Sequence, residues 1–343
     1  MPGLANRKLT HCESKRMRII RKFINRNAHL LVVMVPVLIY LVSCFLFELN
    51  GKSSLTIKDV IVEEVKHHPL TPSYTFIEYK SQMLWLSGSL LSIIAYGVAL
   101  VWGLIIYARC CRPSHSIKLI VTGIGIISLN LLLLIKVDST SAIYNHIFDT
   151  TYQALKVCPL VSLSTLNMVY SIISTINLLA TVAPVFILIA ISCAIAAPTE
   201  AENADLKFFV DRMDYLKQGI TIGSVILLFG LIHMDVWMQW PVALLEASAI
   251  KDTVQSSLVA ISQFWGIAYS LMLLSLYVTG ALYWRYRTTL YLLQSSPQID
   301  IRAWLDENGF SFSWHKHVLQ IGTTLAPFIA GSLRTGLDLL SLN

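Results

Sequence analysis

The sequence predicts an all-α polytopic membrane protein, a bundle of six transmembrane helices with the N-terminus and the C-terminus both cytoplasmic. Three observations predict it: six long apolar runs, a shortage of charged residues, and arginines that all fall on one side. Only 13% of the 343 residues are charged and 55% are hydrophobic, whereas soluble domains carry about 25% charged residues. A chain with so little charge exposes much of its surface to lipid.

Six runs are long enough to cross a bilayer, for which a helix needs about 20 mostly apolar residues. They cover residues 28–47, 83–108, 119–135, 166–197, 219–240 and 258–284. Pro36 and Pro184 lie inside the first and fourth runs, so we expect those two helices to bend. The spans define a membrane domain over residues 28–284.

Residues 1–27 form a basic N-terminal segment with eight Lys or Arg and one acid, Glu13. This segment is typical of a cytoplasmic anchor beside a first span, and nucleic-acid binding is the weaker interpretation. With a cytoplasmic N-terminus, the inner segments hold 19 basic residues and the outer segments hold seven. Every arginine then lies inside, as the positive-inside rule requires.

Two further cytoplasmic elements are predicted. Residues 199–218 form an amphipathic helix that continues into the fifth span, with five acids against three bases. The excess of acids disfavours binding of this helix to anionic lipid. Its apolar face is therefore interpreted as a docking surface for a partner protein. The face consists of Leu206, Phe209, Val210, Met213 and Leu216. Residues 285–343 are expected to be cytoplasmic or interfacial helices, the first ending at Gly309, with a seventh span over 318–333 as the alternative.

The outer loop 48–82 and the cysteines give no firm chemical signal. Glu63 and Glu64 precede His67 and His68 by four residues, so a helix would stack each pair; a solvated face is favoured over a weak metal site. The six cysteines show no zinc or CxxC spacing, which disfavours a metal site or a disulfide framework. Cys110 and Cys111 are interpreted as ordinary thiols, with lipidation as the alternative.

The fifth span contains the one carboxylate inside any predicted span, Asp235, two residues after His233. In a helix these two side chains point about 200° apart, so they do not form an acid–base couple unaided. They lie just before Trp237 and Trp240, which mark the membrane interface. Either they reach for water at that interface, or they form an intramembrane ion or proton position.

Uncharged polar stripes mark two other spans. Ser171, Ser174, Asn177 and Thr181 share one arc of the fourth span, and Ser89, Ser92 and Tyr96 share one face of the second. Such stripes indicate interhelical hydrogen bonds or, alternatively, the lining of an aqueous path. Gly219 and Gly223 indicate close helix packing in the fifth span.

The sequence shows no protease, nucleotide-binding or metal motif, so we expect no enzyme, no metal and no cofactor. We expect a non-enzymatic multi-pass subunit that anchors, transmits a signal or perturbs the membrane. Its partners are the lipid bilayer and either copies of itself or a cytoplasmic protein, without nucleic acid. The alternative is a channel or transporter for a small solute or ion that uses the polar stripes and Asp235. Compactness and the absence of organelle signals favour a bacterial plasma membrane.

Overall fold

The computed structural model describes residues 30–49, 51–67, 71–111, 113–135, 141–196, 205–246, 249–295, 300–310 and 320–331. Every regular element within these ranges is a helix. Five helices are long and apolar enough to cross a membrane, which indicates an integral membrane protein with several passes. The predicted basic segment 1–27, residues 199–204 of the predicted amphipathic helix, and His68 lie outside the described residues.

The helices are numbered here in chain order. The five candidate spans are α1 (Leu30–Glu48), α3 (Pro72–Cys110), α7 (Leu163–Ile195), α8 (Leu206–Leu244) and α9 (Ala249–Ser295). The remaining elements are α2 (Gly51–Lys66), α4 (Pro113–Ile135), α5 (Ala142–Tyr144), a π-helical turn (Asn145–Asp149), α6 (Thr150–Val157), α10 (Ile301–Glu307) and α11 (320–331).

The third predicted span, 119–135, lies in α4 and is the one missing from the five. Helix α4 is 23 residues long. Its stretch Ile117–Ser128 is apolar but too short to count as a span by itself. The helical, multi-pass character of the chain is therefore confirmed, and the number of crossings is taken up below.

Helices α3 and α8 run antiparallel. The Ser92 hydroxyl of α3 donates to the Phe229 carbonyl of α8 at 3.1 Å. Further along, the indole N–H of Trp102 donates to the Gln218 side chain at 3.3 Å. Residue numbers rise along α3 while they fall along α8, so the two helices point in opposite directions.

Helices α8 and α9 are also antiparallel. The Ser262 hydroxyl of α9 donates to Asp235 of α8 at 2.9 Å. Gly223, earlier in α8, packs against Leu273, which lies later in α9. Helix α9 therefore returns along α8.

Helix α7 is antiparallel to α8 and hence parallel to α3. A Cβ on Gly219 of α8 would lie 2.6 Å from the Ile191 side chain of α7, so a larger residue there would force Ile191 to move. Arg212, earlier in α8, donates to the carbonyl of Cys193, later in α7, at 3.0 Å. Helices α3 and α7 consequently finish at the same end of the bundle, which we call the base end.

Helix α4 runs from the base end back along α7. Leu119 is buried in a cluster with Cys193 near the end of α7. Gly123, later in α4, packs against Ile189 and Val185, which lie earlier in α7. The two helices are therefore antiparallel.

At the opposite end, α2, α5, the π-helical turn and α6 form a layer that we call the cap. Helices α2 and α6 pack against each other, and Lys58 of α2 forms an ion pair with Asp149 of the turn. The Glu48 carboxylate at the end of α1 accepts hydrogen bonds from Ser141 Oγ (2.7 Å) and the Ala142 amide (2.8 Å). These bonds satisfy the first amides of α5 and hold α1 to the cap.

Three features of local structure concern helix ends and exposed faces. Residues 206–218 of the predicted amphipathic helix and the fifth span form the single 39-residue helix α8, whose first turn is capped by Asp205. Helix α10 ends before Gly309, whose φ of +73° favours glycine. In α2, the Glu63 and His67 side chains lie 2.9 Å apart on an exposed face.

Helix α11 differs from the interfacial position expected for this region, because it packs against the middle of two apolar helices. A Cβ on Gly266 of α9 would lie 2.7 Å from the Pro327 carbonyl of α11. A Cβ on Gly331 of α11 would lie 2.7 Å from the Ser262 carbonyl of α9. The two backbones therefore touch at two glycines, one from each helix.

Serines supply the hydrogen bonds that make this position of α11 tolerable within apolar surroundings. Pro327 has no N–H, so the Thr323 carbonyl lacks its usual helical donor, and the Ser224 hydroxyl of α8 donates to it instead. The Phe328 amide donates to Ser270 Oγ of α9 at 3.1 Å. Proline and glycine, which look like helix interruptions in the sequence, are here the residues that fit α11 into the bundle.

Candidate functional sites within the bundle

Asp235 lies where α8, α9 and α11 meet. One carboxylate oxygen accepts from Ser262 Oγ at 2.9 Å, and the other accepts from Gln239 Nε2 at 2.6 Å. These two hydrogen bonds join Asp235 to α9 and to the next turn of α8. Beside it is a cavity of about 60 Å³. It is lined by Leu231, Ile232, Asp235, Val259, Ser262, Ala330 and Gly331. That volume is large enough for water but is far below the roughly 300 Å³ of small-molecule pockets.

His233 faces the other side of α8 and does not meet Asp235. Its ring centroid lies 6.2 Å from that of Trp85 on α3. Trp237 and Trp240 lie 5.8 and 5.5 Å from the same Trp85 ring. Within the described part of the chain, the buried His233 Nε2 has no hydrogen-bond partner. The rings of Trp85, His233, Trp237 and Trp240 thus form an aromatic packing layer between α3 and α8.

The polar stripe of α3 faces α8. Ser89 donates to the Trp85 carbonyl within its own helix at 2.8 Å, and Ser92 donates across to Phe229. The Tyr96 hydroxyl lies against Gly230, where a Cβ would approach it to 2.9 Å. This stripe lies in a helix–helix contact and is buried.

The polar stripe of α7 faces away from the bundle. Ser171, Ser174 and Asn177 are exposed, and Thr181 is half-buried with its hydroxyl donating to the Asn177 carbonyl at 2.9 Å. The two stripes therefore lie on different surfaces. They do not line a common path within one chain.

The predicted docking face of α8 is covered by α9 of the same chain. The Phe209 ring lies 5.9 Å from Trp284 and 5.0 Å from Tyr291. Met213 and Leu216 are buried in the same cluster, and Leu206 and Val210 pack against it. The apolar helix partner expected for this face is thus α9, and the face is not open to another protein.

The two glycines predicted for helix packing also serve contacts within the chain. Gly219 lies against Ile191 of α7 and Trp102 of α3, whereas Gly223 lies against Leu273 of α9. A single stretch of α8 therefore packs closely on three neighbours.

One cluster at the base end was not predicted from the sequence. Cys111 packs against the buried cluster that contains Cys110 and Cys193, and the Cys110 side chain lies next to the Arg212 guanidinium. No spacing in the sequence indicates this, because the cluster exists only when α3 and α7 finish side by side.

The described residues hold no group of three or more His, Cys, Asp or Glu side chains that fits a metal ion. The buried polar groups instead join helices to one another. Comparison with known proteins adds no assignment: no protein-family model matches the chain, and no curated protein or solved structure matches it either.

Proposed function

We propose that this chain is a non-enzymatic subunit of an oligomeric membrane assembly, whose copies meet along the exposed polar face of α7. The observation that carries the proposal is the composition of that face. Its exposed neutral polar residues are Ser164, Asn167, Ser171, Ser174, Thr175 and Asn177. They occupy one side of the first half of α7, which also exposes Leu163, Met168, Tyr170 and Leu178, and no other described helix covers them.

The exposed faces of the neighbouring spans are different. Between Leu90 and Ile105, the exposed positions of α3 are aliphatic apart from Gly97. Those of α1 from Leu31 to Leu46 are also all apolar. Aliphatic faces suit lipid tails, so the contrast singles out α7 as the helix whose surface suits protein.

The polar face of α7 should bind protein rather than lipid because placing an amide in hydrocarbon costs free energy. Moving an amide without a hydrogen-bond partner from water into hydrocarbon costs about 4–8 kcal/mol. A hydrogen bond between spans returns roughly 0.6–2 kcal/mol per contact, and a partner also removes the unpaired state. Asn, Ser and Thr side chains each carry a donor and an acceptor, so the face is complementary to a second copy of itself.

The test is co-purification of two differently tagged copies from mild detergent, with the mass of the complex measured by light scattering. We expect Asn177→Leu combined with Ser174→Leu to reduce co-purification at least tenfold while the monomer stays folded. Ser87→Leu is the matched control, because Ser87 is exposed on α3 and bonds only its own helix. A wild-type chain that runs as a strict monomer would refute the proposal.

We also propose six crossings, by α1, α3, α4, α7, α8 and α9, with the start of α1 and helix α10 at the base end, which places α4 across the membrane. Helices α2 and α6 touch in the cap, and the chain between them contains α3 and α4. Since α3 leaves the cap end, α4 has to return to it. The antiparallel packing of α4 on α7 supports the same path. The arginine distribution assigns the base end to the cytoplasm, in our proposal that of a bacterial plasma membrane.

Cysteine labelling tests this topology in a background without the native cysteines. We expect Glu64→Cys in α2 and Lys156→Cys in α6 to react with an impermeant maleimide from the same side, the outside. Glu307→Cys in α10 should react only after the membrane is opened. All three positions are exposed. Labelling of Glu64→Cys and Lys156→Cys from opposite sides would show that α4 does not cross.

The second candidate function is a path for a small ion or solute at the centre of the oligomer. The same exposed polar face of α7 favours it, because several copies of that face around an axis would enclose hydroxyl and amide groups. Flux through liposomes that Asn177→Leu abolishes supports a path. Stable oligomers without flux support an anchoring or signal-transmitting role.

A further inference from the structure

We propose that Cys111 and Cys193 form a dithiol site that hydrogen peroxide, or a small-molecule disulfide, converts into an intramolecular disulfide joining the ends of α3 and α7. The inference is independent of the proposed oligomer. It concerns a modification site at the base end, away from the polar face of α7.

The fold brings the two thiols together from distant parts of the sequence. Cys111 is the residue that ends α3, and Cys193 lies in the last turn of α7. Because α3 and α7 are parallel and Gly103 of α3 packs on Phe186 of α7, Cys110 and Cys111 lie level with Cys193. Cys111 packs against the buried cluster that contains Cys193. Formation of a disulfide therefore involves only the two helix ends.

The two thiols differ in access. Cys193 is 1% exposed, whereas Cys111 is half-buried. An oxidant thus meets Cys111 first, and Cys193 is positioned to resolve the product. Two arginines belong to the same helix ends: Arg212 donates to the Cys193 carbonyl at 3.0 Å, and Arg109 lies in the last turn of α3.

The chemistry balances with peroxide as the oxidant. The Cys111 thiolate attacks one peroxide oxygen, the O–O bond breaks, and Cys111 becomes a sulfenic acid while the other oxygen leaves as water. The Cys193 sulfur then attacks the Cys111 sulfur, the S–S bond forms, and the sulfenic oxygen leaves as a second water. Two thiols and one peroxide thus give one disulfide and two waters. A small disulfide gives the same bond through two thiol exchanges and leaves two small thiols.

Cys110 provides a matched control, since it is adjacent in sequence but turned toward Arg212. It is buried, and its thiol contacts the guanidinium. If proximity in sequence or general reactivity decided the outcome, Cys110 would be oxidised in the same way as Cys111. The geometry predicts that it is not.

The experiment uses the full chain, purified in mild detergent, reduced, and then exposed to hydrogen peroxide. Remaining thiols are blocked with maleimide before digestion and mass spectrometry. We expect a peptide linked through Cys111 and Cys193 that disappears on treatment with dithiothreitol. Cys111→Ser and Cys193→Ala should abolish the link, and Cys110→Ser should keep it. The linked wild-type protein should also melt at a higher temperature than the reduced protein, because the bond closes a long loop.

The wild-type peptide map decides the question even if Cys193→Ala fails to fold. A link through Cys110, or links only between separate chains, would overturn the proposal. So would complete maleimide modification of Cys111 and Cys193 after peroxide treatment.

Discussion

Small and polar residues decide how closely the helices of this bundle approach one another. Gly219, Gly266 and Gly331 each lie where a Cβ would come within 3 Å of a neighbouring helix. Ser92 and Ser262 add hydrogen bonds between helices. In a bilayer, where lipid tails are as apolar as leucine, such contacts rather than hydrophobic burial hold spans together.

Asp235 is expected to act as a structural anchor at the junction of α8, α9 and α11. Replacement by leucine leaves the Ser262 hydroxyl and the Gln239 amide without their shared acceptor, which should cost about 2–4 kcal/mol. Asp235→Asn keeps one acceptor oxygen and should cost less. Thermal unfolding in detergent measures both. The control is Asp252→Leu, because Asp252 is exposed at the start of α9; an equal loss in that variant would contradict the assignment.

His146 gives the cap a defined dependence on pH. Burial lowers the pKa of this side chain from its usual value of about 6.5. As the pH falls through that value, the unfolded chain binds a proton that the folded cap does not. Stability therefore decreases toward acid, by at most about 1.4 kcal/mol per pH unit.

His146→Phe should reduce this slope, since the ring packs edge-on against Phe47 at 6.0 Å and phenylalanine keeps that packing. Melting temperatures measured between pH 7.5 and about 5 provide the readout. His67→Gln is the control, because His67 is exposed. Identical slopes for wild type and His146→Phe would exclude His146 as the cause.

At the scale of single residues, the sequence predicted which side of a helix a residue lies on better than it predicted which residues touch. Helical geometry alone separated His233 from Asp235, and the structure places them against α3 and α9 respectively. The proximity of Cys111 and Cys193 could not be predicted from the sequence, because it depends on which helices are neighbours.

Among the elements, hydropathy is sufficient for the long helices and fails for α11. The run around α11 is short and contains Pro327 and Gly331, which predict a break in an isolated helix. Its position depends on Ser224, Ser270 and Gly266, which belong to other helices. The residues that determine the position of α11 therefore lie far apart in the sequence, and the local sequence alone does not predict that position.

Gly266→Leu is expected to displace α11 from the bundle. The added side chain would begin 2.7 Å from the Pro327 carbonyl, and backbone yields less readily than a side chain. We expect a loss of about 1–3 kcal/mol, as for overpacked cores, and faster proteolysis of the C-terminal region. Gly97→Leu is the matched control, because a Cβ there meets nothing within 4 Å. Equal protease sensitivity of the two variants would argue against backbone contact at Gly266.

For the whole molecule, charge and hydropathy predicted several membrane-spanning helices and a direction for each, and the packing adds which helices are neighbours. The contact between the parallel helices α3 and α7 is the feature that sequence reasoning lacked. It explains why α4 has to return to the cap and why two distant cysteines meet. The outward direction of the α7 polar face could not be predicted either, because both a pore and a packing contact give the same spacing of residues.

Assembly and internal packing should be separable properties of this molecule. Asn177→Leu is expected to weaken association of copies without lowering the unfolding temperature of the monomer, since Asn177 is exposed. Gly266→Leu should do the reverse. In the double variant the two effects should add, because the sites share no contact. Co-purification and thermal unfolding of all four proteins measure this, and strong coupling would show that the interface includes α11.

Helix α11 also has a consequence for how the protein is made. A ribosome delivers α8 and α9 to the membrane before it translates residues 320–331, so the slot that Gly266 and Ser270 form between them stands vacant during synthesis. Until the slot is filled, Ser224 and Ser270 have no carbonyl or amide of α11 to bind. Packing of α11 therefore comes after that of α8 and α9, and a chain stalled before that step leaves the Ser224 and Ser270 hydroxyls in an unfilled slot between two apolar helices.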